Sequence, residues 1–382
     1  MSRQVGAMRV SARPEALRID WADGTTGEFA SIWLRDNLPE DRDRHSGQRL
    51  VDVTELPDEP LIRAAALTDT SVRIVWEQES RASTFELDWL YEHARGPLRP
   101  LEQQARQWLE AQGLDARRDF AWQPLAVLAA DPQARLHWLT RLLQEGLAFL
   151  SEVPAVEAGI LEATRIIGRV AETNYGLVFD VRAVPQPENL AYSDRGLGLH
   201  TDNPYREPVP GFQALHTLIA APDGGESLFA DGFALAEHLR QSAPRAFAIL
   251  AHTAVPFRYR SRQAELWAER PLIQLDCRGA VVAVHYNSRS IAPLRLPADQ
   301  CRAFYAAYRR FGALLREARF QLSTLMQPGE LAVFDNQRIL HGRTGFASAR
   351  HARHLRGCYL TRDSVYSETA LLRRQRAVTE ES

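Results

Sequence analysis

The chain has 382 residues, room for one large domain and a smaller one. Hydrophobic residues make up 45% and charged residues 25%, and the formal net charge is -2. These are ordinary soluble, globular values, without the bulk field that recruits nucleic acid or an anionic membrane.

The N-terminal run MSRQVGAMRVSARPEAL lacks the apolar core of a signal peptide. No stretch reaches the roughly 18 consecutive apolar residues of a membrane span. Cys277, Cys301 and Cys358 are widely spaced and odd in number, which argues against a disulfide framework. They read as small buried hydrophobes, and a cytoplasmic location is expected.

In chain order, residues 1–95 alternate apolar and polar positions in ALRIDWADG, EFASIWLRD, LIRAAALTDTSVRIVWE and STFELDWLYEH. This predicts a small β-rich domain with a charged loop at 40–47. A connector at 93–101 leads to a predicted helix at 102–112, and residues 96–382 form the second predicted domain. Leu136, Leu139 and Leu143 lie on one face of a helix over 132–145. Gly146 ends it before a short strand, GLAFL, and another helix is expected over 156–169.

Strands then dominate: GLVFDVR, FQALHTLIA and ESLFADG, with a helix at 232–240. LIQLDCRG and AVVAVHYNS read as a hairpin turning at Arg278-Gly279. A strong helix over 299–316 carries Phe304, Tyr308 and Phe311 on one face, which suits either a homodimer contact or the chain's own core. QLSTLMQPGELAVFDNQRILHG continues as strand, turn and strand, and HLRGCYLTR is a last β segment before a polar helical tail. Helices followed by many strands predict a mainly β fold, a barrel-like core packed by helices. No dinucleotide or phosphate loop and no repeat is evident.

The chemistry-bearing residues are His200 and Asp202 in LHTDNPY and His341 in FDNQRILHGRTG. On a strand, positions i and i+2 face one side, so His200 and Asp202 can reach one ion. His341 follows a late strand, and strands distant in sequence can be barrel neighbours. Two imidazoles and one carboxylate fill three metal positions and leave the rest open, the ligand set of a non-haem iron(II) oxygenase. The set does not select sharply against Zn2+ or Mn2+. An HxD triplet alone is a weak signal, because an isolated His or Asp is more often a surface or capping residue. The HGR tract and the arginines beyond it strengthen the metal reading.

The chain resembles the γ-butyrobetaine dioxygenase family of iron(II)/2-oxoglutarate enzymes, within the taurine-dioxygenase-like superfamily. The resemblance runs through SIWLRDN, NYGLVFDVR, NLAYSDRGLGLHTDNPY, PGFQALHTL, GGESLFADGF, PGELAVFDNQRILHGR and RHLRGCYLTRD, in that order. It implies a double-stranded β-helix (jelly-roll) core, Fe(II) on His200, Asp202 and His341, and 2-oxoglutarate and O2 as co-substrates. Arg353 matches the position that binds the distal carboxylate of 2-oxoglutarate, as a bidentate guanidinium can. Ser227 matches an assisting hydroxyl. Read alone, Arg353 would be a surface charge, with Arg350 and Arg356 as nearby competitors that the spacing from the motif His and the following HL disfavour, and Ser227 an ordinary strand or turn hydroxyl.

The resemblance also implies a small trimethylammonium substrate. Such a head has no N–H to donate and is held by aromatic faces, each contact contributing roughly 0.5–2 kcal/mol. Tyr175, Phe179, Tyr192 and Tyr359 match the cage, and Asn189, Asn287 and Tyr205 the remaining pocket. Without the resemblance these residues are ordinary strand packing. Phe179 stands where some members have Trp, a weaker but sufficient ring.

Two departures matter. Arg289 in VHYNSRSIAP stands where the family has an uncharged residue, and Ile291 occupies a usual Arg position. If Arg289 enters the pocket it suits a phosphonate tail; a surface role is the alternative. Relatives often carry a C-x-C-x-x-C zinc cluster after WLRDN, and here those positions are Leu38, Glu40 and Asp43, so no structural zinc is expected. Hydroxylation of γ-butyrobetaine to L-carnitine leads. The alternatives are 2-trimethylaminoethylphosphonate giving its 1-hydroxy derivative, another betaine or trimethyllysine, and a non-catalytic ligand-binding barrel.

Overall fold

The computed structural model describes residues 7–56, 58–79, 82–94, 108, 113–182, 195–346 and 353–381. The chain divides into two compact units, Met1–Pro100 and Leu101–Ser382. The expected helix at 102–112 lies almost wholly outside the described residues.

The first unit holds two three-stranded antiparallel sheets, Ala7–Arg13, Ala16–Trp21 and Thr26–Ala30, and Ile62–Leu67, Ser71–Trp76 and Ala82–Glu86. The period-2 pattern explains them: Leu17, Ile19 and Trp21, and Val72, Ile74 and Trp76, all point into one core. Two expected strands end early. SIWLRD is a helix, Ser31–Asp36, because its buried positions Ser31, Leu34 and Arg35 follow helical spacing. Leu87–Ala94 is likewise helical.

In the second unit one sheet runs in the order Phe179–Arg182, His354–Leu360, Phe212–Ile219, Leu331–Asp335, Leu147–Ser151, Ala121–Pro124. A second, four-stranded sheet runs Leu197–His200, Ile339–Arg343, Ser227–Asp231, Leu322–Thr324. Pairings are antiparallel except that between Ala121–Pro124 and Leu147–Ser151. Alternation divides the strands between two cores. Leu147, Phe149 and Phe334 of the larger sheet meet Phe229, Leu322 and Ile339 of the smaller one. Ala148, Leu150 and Val333 face the helix Pro132–Glu145 through Leu136, Leu139 and Leu143. Each large apolar side chain fully buried this way contributes on the order of 1.5–3 kcal/mol.

The architecture is mixed α/β rather than mainly β. Helices Gly232–Ser242, Pro244–His252 and Ala298–Leu314 build a further core with the smaller sheet. Phe304 and Phe311 are wholly buried in it, so that helix face packs within the chain. The expected helix over 156–169 is shortened to Gly159–Thr164. Gly159 lies against the Pro154 carbonyl, where a Cβ would sit 2.1 Å from the oxygen. Helix Pro244–His252 and the hairpin Val255–Arg260/Glu265–Arg270 add elements the sequence pattern does not announce. Cys358 is buried, Cys301 half-buried and Cys277 exposed, so the buried reading of the cysteines fails at Cys277. Among the described residues no helix is long and apolar enough to cross a membrane.

Candidate metal centre and the pocket around it

His200 and His341 are direct partners across the antiparallel pair Leu197–His200 and Ile339–Arg343. Their ring centroids lie 4.3 Å apart. His341 sits within its strand rather than after it. Asp202 lies in the turn beyond Leu197–His200, so the turn, not the strand pleat, brings it beside His200. The ligand atoms of His200, Asp202 and His341 all lie within 4.8 Å of one another.

Several contacts fix this arrangement. The Thr201 N–H donates to the Tyr286 carbonyl at 2.8 Å, and the Tyr286 N–H donates to Thr201 Oγ1 at 3.0 Å. Asn336, fully buried, accepts from the Asp202 N–H at 2.7 Å and donates to the Asp202 carbonyl at 3.0 Å. Tyr359 donates its hydroxyl proton to Asp202 Oδ2 at 2.8 Å. His200 Nδ1 donates to the Gly198 carbonyl at 2.9 Å, leaving Nε2 with its lone pair 3.3 Å from Asp202 Oδ1.

The electrostatics fit a cation. Burial pushes the Asp202 carboxyl up, but His341, His200 and the Tyr359 hydroxyl outweigh it and hold the group well below the usual carboxylate range. Burial outweighs the opposing pull of the Asp202 charge and lowers His341 to about 3, so its imidazole is neutral. His341 Nε2 lies 3.8 Å from Asp202 Oδ2. Lone pairs of neutral imidazole and anionic carboxylate crowded this closely repel one another unless a cation sits among them. A hard carboxylate with two imidazoles suits Fe(II).

The triad opens onto a pocket in the same unit. Tyr175, Phe179, Ser227, Arg289, Arg353 and Tyr359 all line it. Arg353 is buried, and its Nε donates to the Gly225 carbonyl at 3.2 Å. Burial lowers its guanidinium to about 10, and neighbouring Arg343 adds to the effect. Two guanidinium groups so near each other suit an anionic partner such as a carboxylate. Ser227 is buried beside them, its strand residue paired with Arg343.

Aromatic rings form another wall. Phe179 and Tyr359 lie 5.2 Å apart by centroid, and Tyr175 and Phe179 6.3 Å. Phe179 can lie over the neighbouring strand because residue 357 is glycine; a Cβ there would meet the Phe179 ring at 2.4 Å. Arg289 keeps exposed surface yet faces this cavity. Burial lowers its pKa, and the Asp202 charge pulls the other way.

Two expected pocket residues stand elsewhere. Asn287 is buried, donates to the Thr201 carbonyl at 3.0 Å and accepts from the Arg289 N–H at 3.2 Å. Its amide therefore shapes the loop rather than the cavity wall. Tyr205 lies behind the wall, stacked on Tyr259 at 5.1 Å. Asn189 and Tyr192 lie outside the described residues. Asn203, Asn336, Gln213, Arg343 and Tyr259 are site neighbours that sequence reasoning missed. Asn203, Gln213, Asn336 and Arg343 stand inside the quoted motifs, Arg343 as the last residue of the HGR tract, and only Tyr259 lies outside them.

In the first unit, the three positions that replace the zinc cysteines are engaged otherwise. Leu38 is buried in the core, Glu40 accepts from the Thr84 N–H at 3.3 Å, and Asp43 accepts from the Ser46 N–H at 2.7 Å.

Comparison with known proteins agrees with this geometry. Residues 112–359 match the model described as "Taurine catabolism dioxygenase TauD, TfdA family", and residues 8–91 match "Gamma-butyrobetaine hydroxylase-like, N-terminal". The chain is 33% identical over 369 residues to a gamma-butyrobetaine dioxygenase of Pseudomonas sp. (strain AK-1), covering 93% of each chain. It is 24% identical over 383 residues to a trimethyllysine dioxygenase of Meyerozyma guilliermondii, covering 96% of this chain and 95% of the relative. A solved asparagine oxygenase aligns with a TM-score of 0.48 at 20% identity, covering 62% of this chain and 82% of that one.

Proposed function

The chain belongs to the γ-butyrobetaine dioxygenase-like family of the TauD, TfdA dioxygenases, and from that premise we propose that it hydroxylates γ-butyrobetaine to L-carnitine. It is an iron(II)- and 2-oxoglutarate-dependent dioxygenase. The observation that carries the substrate reading is the shared cavity: the rings of Tyr175, Phe179 and Tyr359 line the same pocket as His200, Asp202 and His341. A trimethylammonium head against those rings brings a neighbouring C–H within reach of the metal centre.

Iron(II) bound with 2-oxoglutarate supplies dioxygen activation, one oxygen atom passing to the substrate carbon and the other to succinate as CO2 leaves. The residues divide the remaining work. His200, Asp202 and His341 hold the ion, Arg353 with Ser227 holds the distal carboxylate of 2-oxoglutarate, and the rings orient the substrate. In this reading the two facing sheets are the halves of a double-stranded β-helix, and residues 1–95 form a separate small domain.

A second reading rests on Arg289, which lines the pocket. Its guanidinium suits the tail of 2-trimethylaminoethylphosphonate, which offers more charge and more acceptor oxygens than a carboxylate. Purified enzyme with Fe(II) and 2-oxoglutarate is to be supplied separately with γ-butyrobetaine, the phosphonate and trimethyllysine. Hydroxylated product equimolar with succinate, read by mass spectrometry, identifies the substrate. No stimulation of succinate formation by any of the three rejects the trimethylammonium reading.

A further inference from the structure

Asn203 is a buried residue with a φ of 54°. That left-handed conformation is uncommon outside glycine, though Asn tolerates it better than most residues. What it secures is the direction of the side chain. Oδ1 accepts from the Tyr205 hydroxyl at 2.6 Å, and Nδ2 donates to the Tyr359 hydroxyl at 3.0 Å. The Tyr359 hydroxyl in turn donates to Asp202 Oδ2 at 2.8 Å. At the far end the Tyr175 and Tyr205 hydroxyls lie 3.3 Å apart.

The proton positions follow from valence. An amide nitrogen only donates and an amide oxygen only accepts. Because Asn203 Nδ2 donates to the Tyr359 oxygen, the single Tyr359 proton is free to go to Asp202. Because the Tyr205 proton goes to Asn203 Oδ1, Tyr205 can only accept from Tyr175. From Tyr205 onward every O–H and N–H in the chain therefore points toward the metal carboxylate, while the Tyr175 proton can go to the Tyr205 or the Tyr259 hydroxyl. Such aligned chains polarise one another. Tyr359 occupies Oδ2 and leaves Oδ1, the oxygen 3.3 Å from His200 Nε2, for the ion.

We propose that Asn203 is a positioning residue that couples occupancy of the aromatic pocket to the Asp202 metal ligand through Tyr175, Tyr205 and Tyr359. A cation against the Tyr175 and Tyr359 rings shifts the two ends of one hydrogen-bonded chain. The shift reaches Asp202 as a change in the bond on Oδ2 and hence in the donor strength of Oδ1. The substrate half of this inference rests on the trimethylammonium reading above; the Asn203–Tyr359–Asp202 half does not.

The test uses the full chain loaded with Co(II), whose visible absorption reports ligand geometry without turnover, in the presence of 2-oxoglutarate. Adding γ-butyrobetaine to the wild type is expected to alter the Co(II) spectrum. Asn203→Leu and Tyr205→Phe are expected to bind γ-butyrobetaine by calorimetry yet show little or none of that change. Tyr205→Phe leaves the Asn203 backbone untouched and serves if Asn203→Leu does not fold. Metal affinity is the independent readout. Tyr359→Phe is expected to weaken Co(II) binding by roughly 10-fold, the scale of lost support to a metal ligand. Adding Asn203→Leu to Tyr359→Phe is expected to cost less than about 2-fold more, since one chain is cut twice.

An unchanged spectral response in Asn203→Leu or Tyr205→Phe overturns the coupling. Additive losses in the metal-affinity cycle overturn the assignment of Asn203 as the residue that directs Tyr359. If γ-butyrobetaine does not bind the wild type, the trimethylammonium reading and the substrate half fall together, and the metal-affinity cycle still decides the other half.

Discussion

Gly225 and Arg353 occupy each other's space. The Gly225 carbonyl accepts from Arg353 Nε at 3.2 Å, and a Cβ on Gly225 would lie 3.1 Å from Arg353 Cδ. Residue 225 also has a φ of +75°, a region L side chains rarely adopt. One glycine therefore both admits the arginine side chain and aims it. Gly225→Ala is expected to push the guanidinium out of line and raise the KM for 2-oxoglutarate by about 10-fold or more, given the roughly 100-fold cost of a 1 Å misplacement. Steady-state kinetics with varied 2-oxoglutarate checks this, and an unchanged KM rejects the role given to Arg353.

Asn336 holds both backbone polar groups of Asp202 and donates in addition to the Pro210 carbonyl at 3.2 Å. Removing its amide leaves buried donors and acceptors unpaired, at about 1–3 kcal/mol each. Asn336→Ala is expected to lower thermal stability and weaken Fe(II) or Co(II) binding by roughly 10-fold or more. Metal titration of folded protein decides it; wild-type affinity in a folded variant removes Asn336 from the metal centre.

Arg289 separates the two substrate readings. A hydrogen bond to a charged group is worth about 1.5–3 kcal/mol, roughly 10- to 100-fold in affinity. Arg289→Gln is expected to reduce kcat/KM for 2-trimethylaminoethylphosphonate by that factor and to change γ-butyrobetaine turnover less. Equal effects on both substrates would show that Arg289 does not read the tail.

Buried histidines outside the metal centre add to the acid sensitivity that His341 already brings. Burial lowers His216 to about 4, with Arg356 adding repulsion, and burial with Arg270 lowers His285 to about 3. Unfolded, both titrate near the ordinary 6.5. Between those values the unfolded chain binds protons that the folded chain refuses, so stability rises with pH. It is complete above about 6.5 and falls as the pH drops toward 4 for His216 and 3 for His285, by about 1.4 kcal/mol per pH unit for each. His216→Leu is expected to reduce the loss of melting temperature between pH 7.5 and pH 5 by roughly a third, since His285 and His341 keep their own shares. Melting curves at both values test it, and an unaltered loss assigns the acid sensitivity elsewhere.

The metal ligands were legible because HTD and the later HGR tract lie in segments that resemble the γ-butyrobetaine dioxygenase family, the HxD triplet alone being a weak signal. The strands around them were legible because Leu17, Ile19 and Trp21, or Phe149 and Phe334, repeat the alternation of buried strands. What stayed hidden depends on contacts between distant segments. Nothing local says that Tyr359, which reads as a cage ring, spends its hydroxyl on Asp202, or that Asn336 grips the Asp202 backbone. Asn287 carries a polar amide suited to a substrate, yet the Thr201 carbonyl takes its donor. SIWLRD alternates well enough for a strand, but burial of Arg35 with Ser31 and Leu34 requires a helix.

That buried Arg35 carries the last prediction. Its guanidinium pairs with Asp41 and Glu79, while Arg49 pairs with Asp36 and Arg42 donates to Asn37. These contacts tie down the segment at 37–50, where relatives of this family carry zinc cysteines. We therefore expect the first unit to contain no stoichiometric zinc by elemental analysis, and EDTA to leave its melting unchanged. Arg35→Leu leaves two half-buried acidic groups unpaired, at a cost below the roughly 3–5 kcal/mol of breaking a fully buried pair. The variant is expected to lower the melting temperature and expose 37–50 to limited proteolysis. Zinc in purified wild type, or a melting point that falls with EDTA while Arg35→Leu has no effect, would overturn the assignment of the loop to ion pairs.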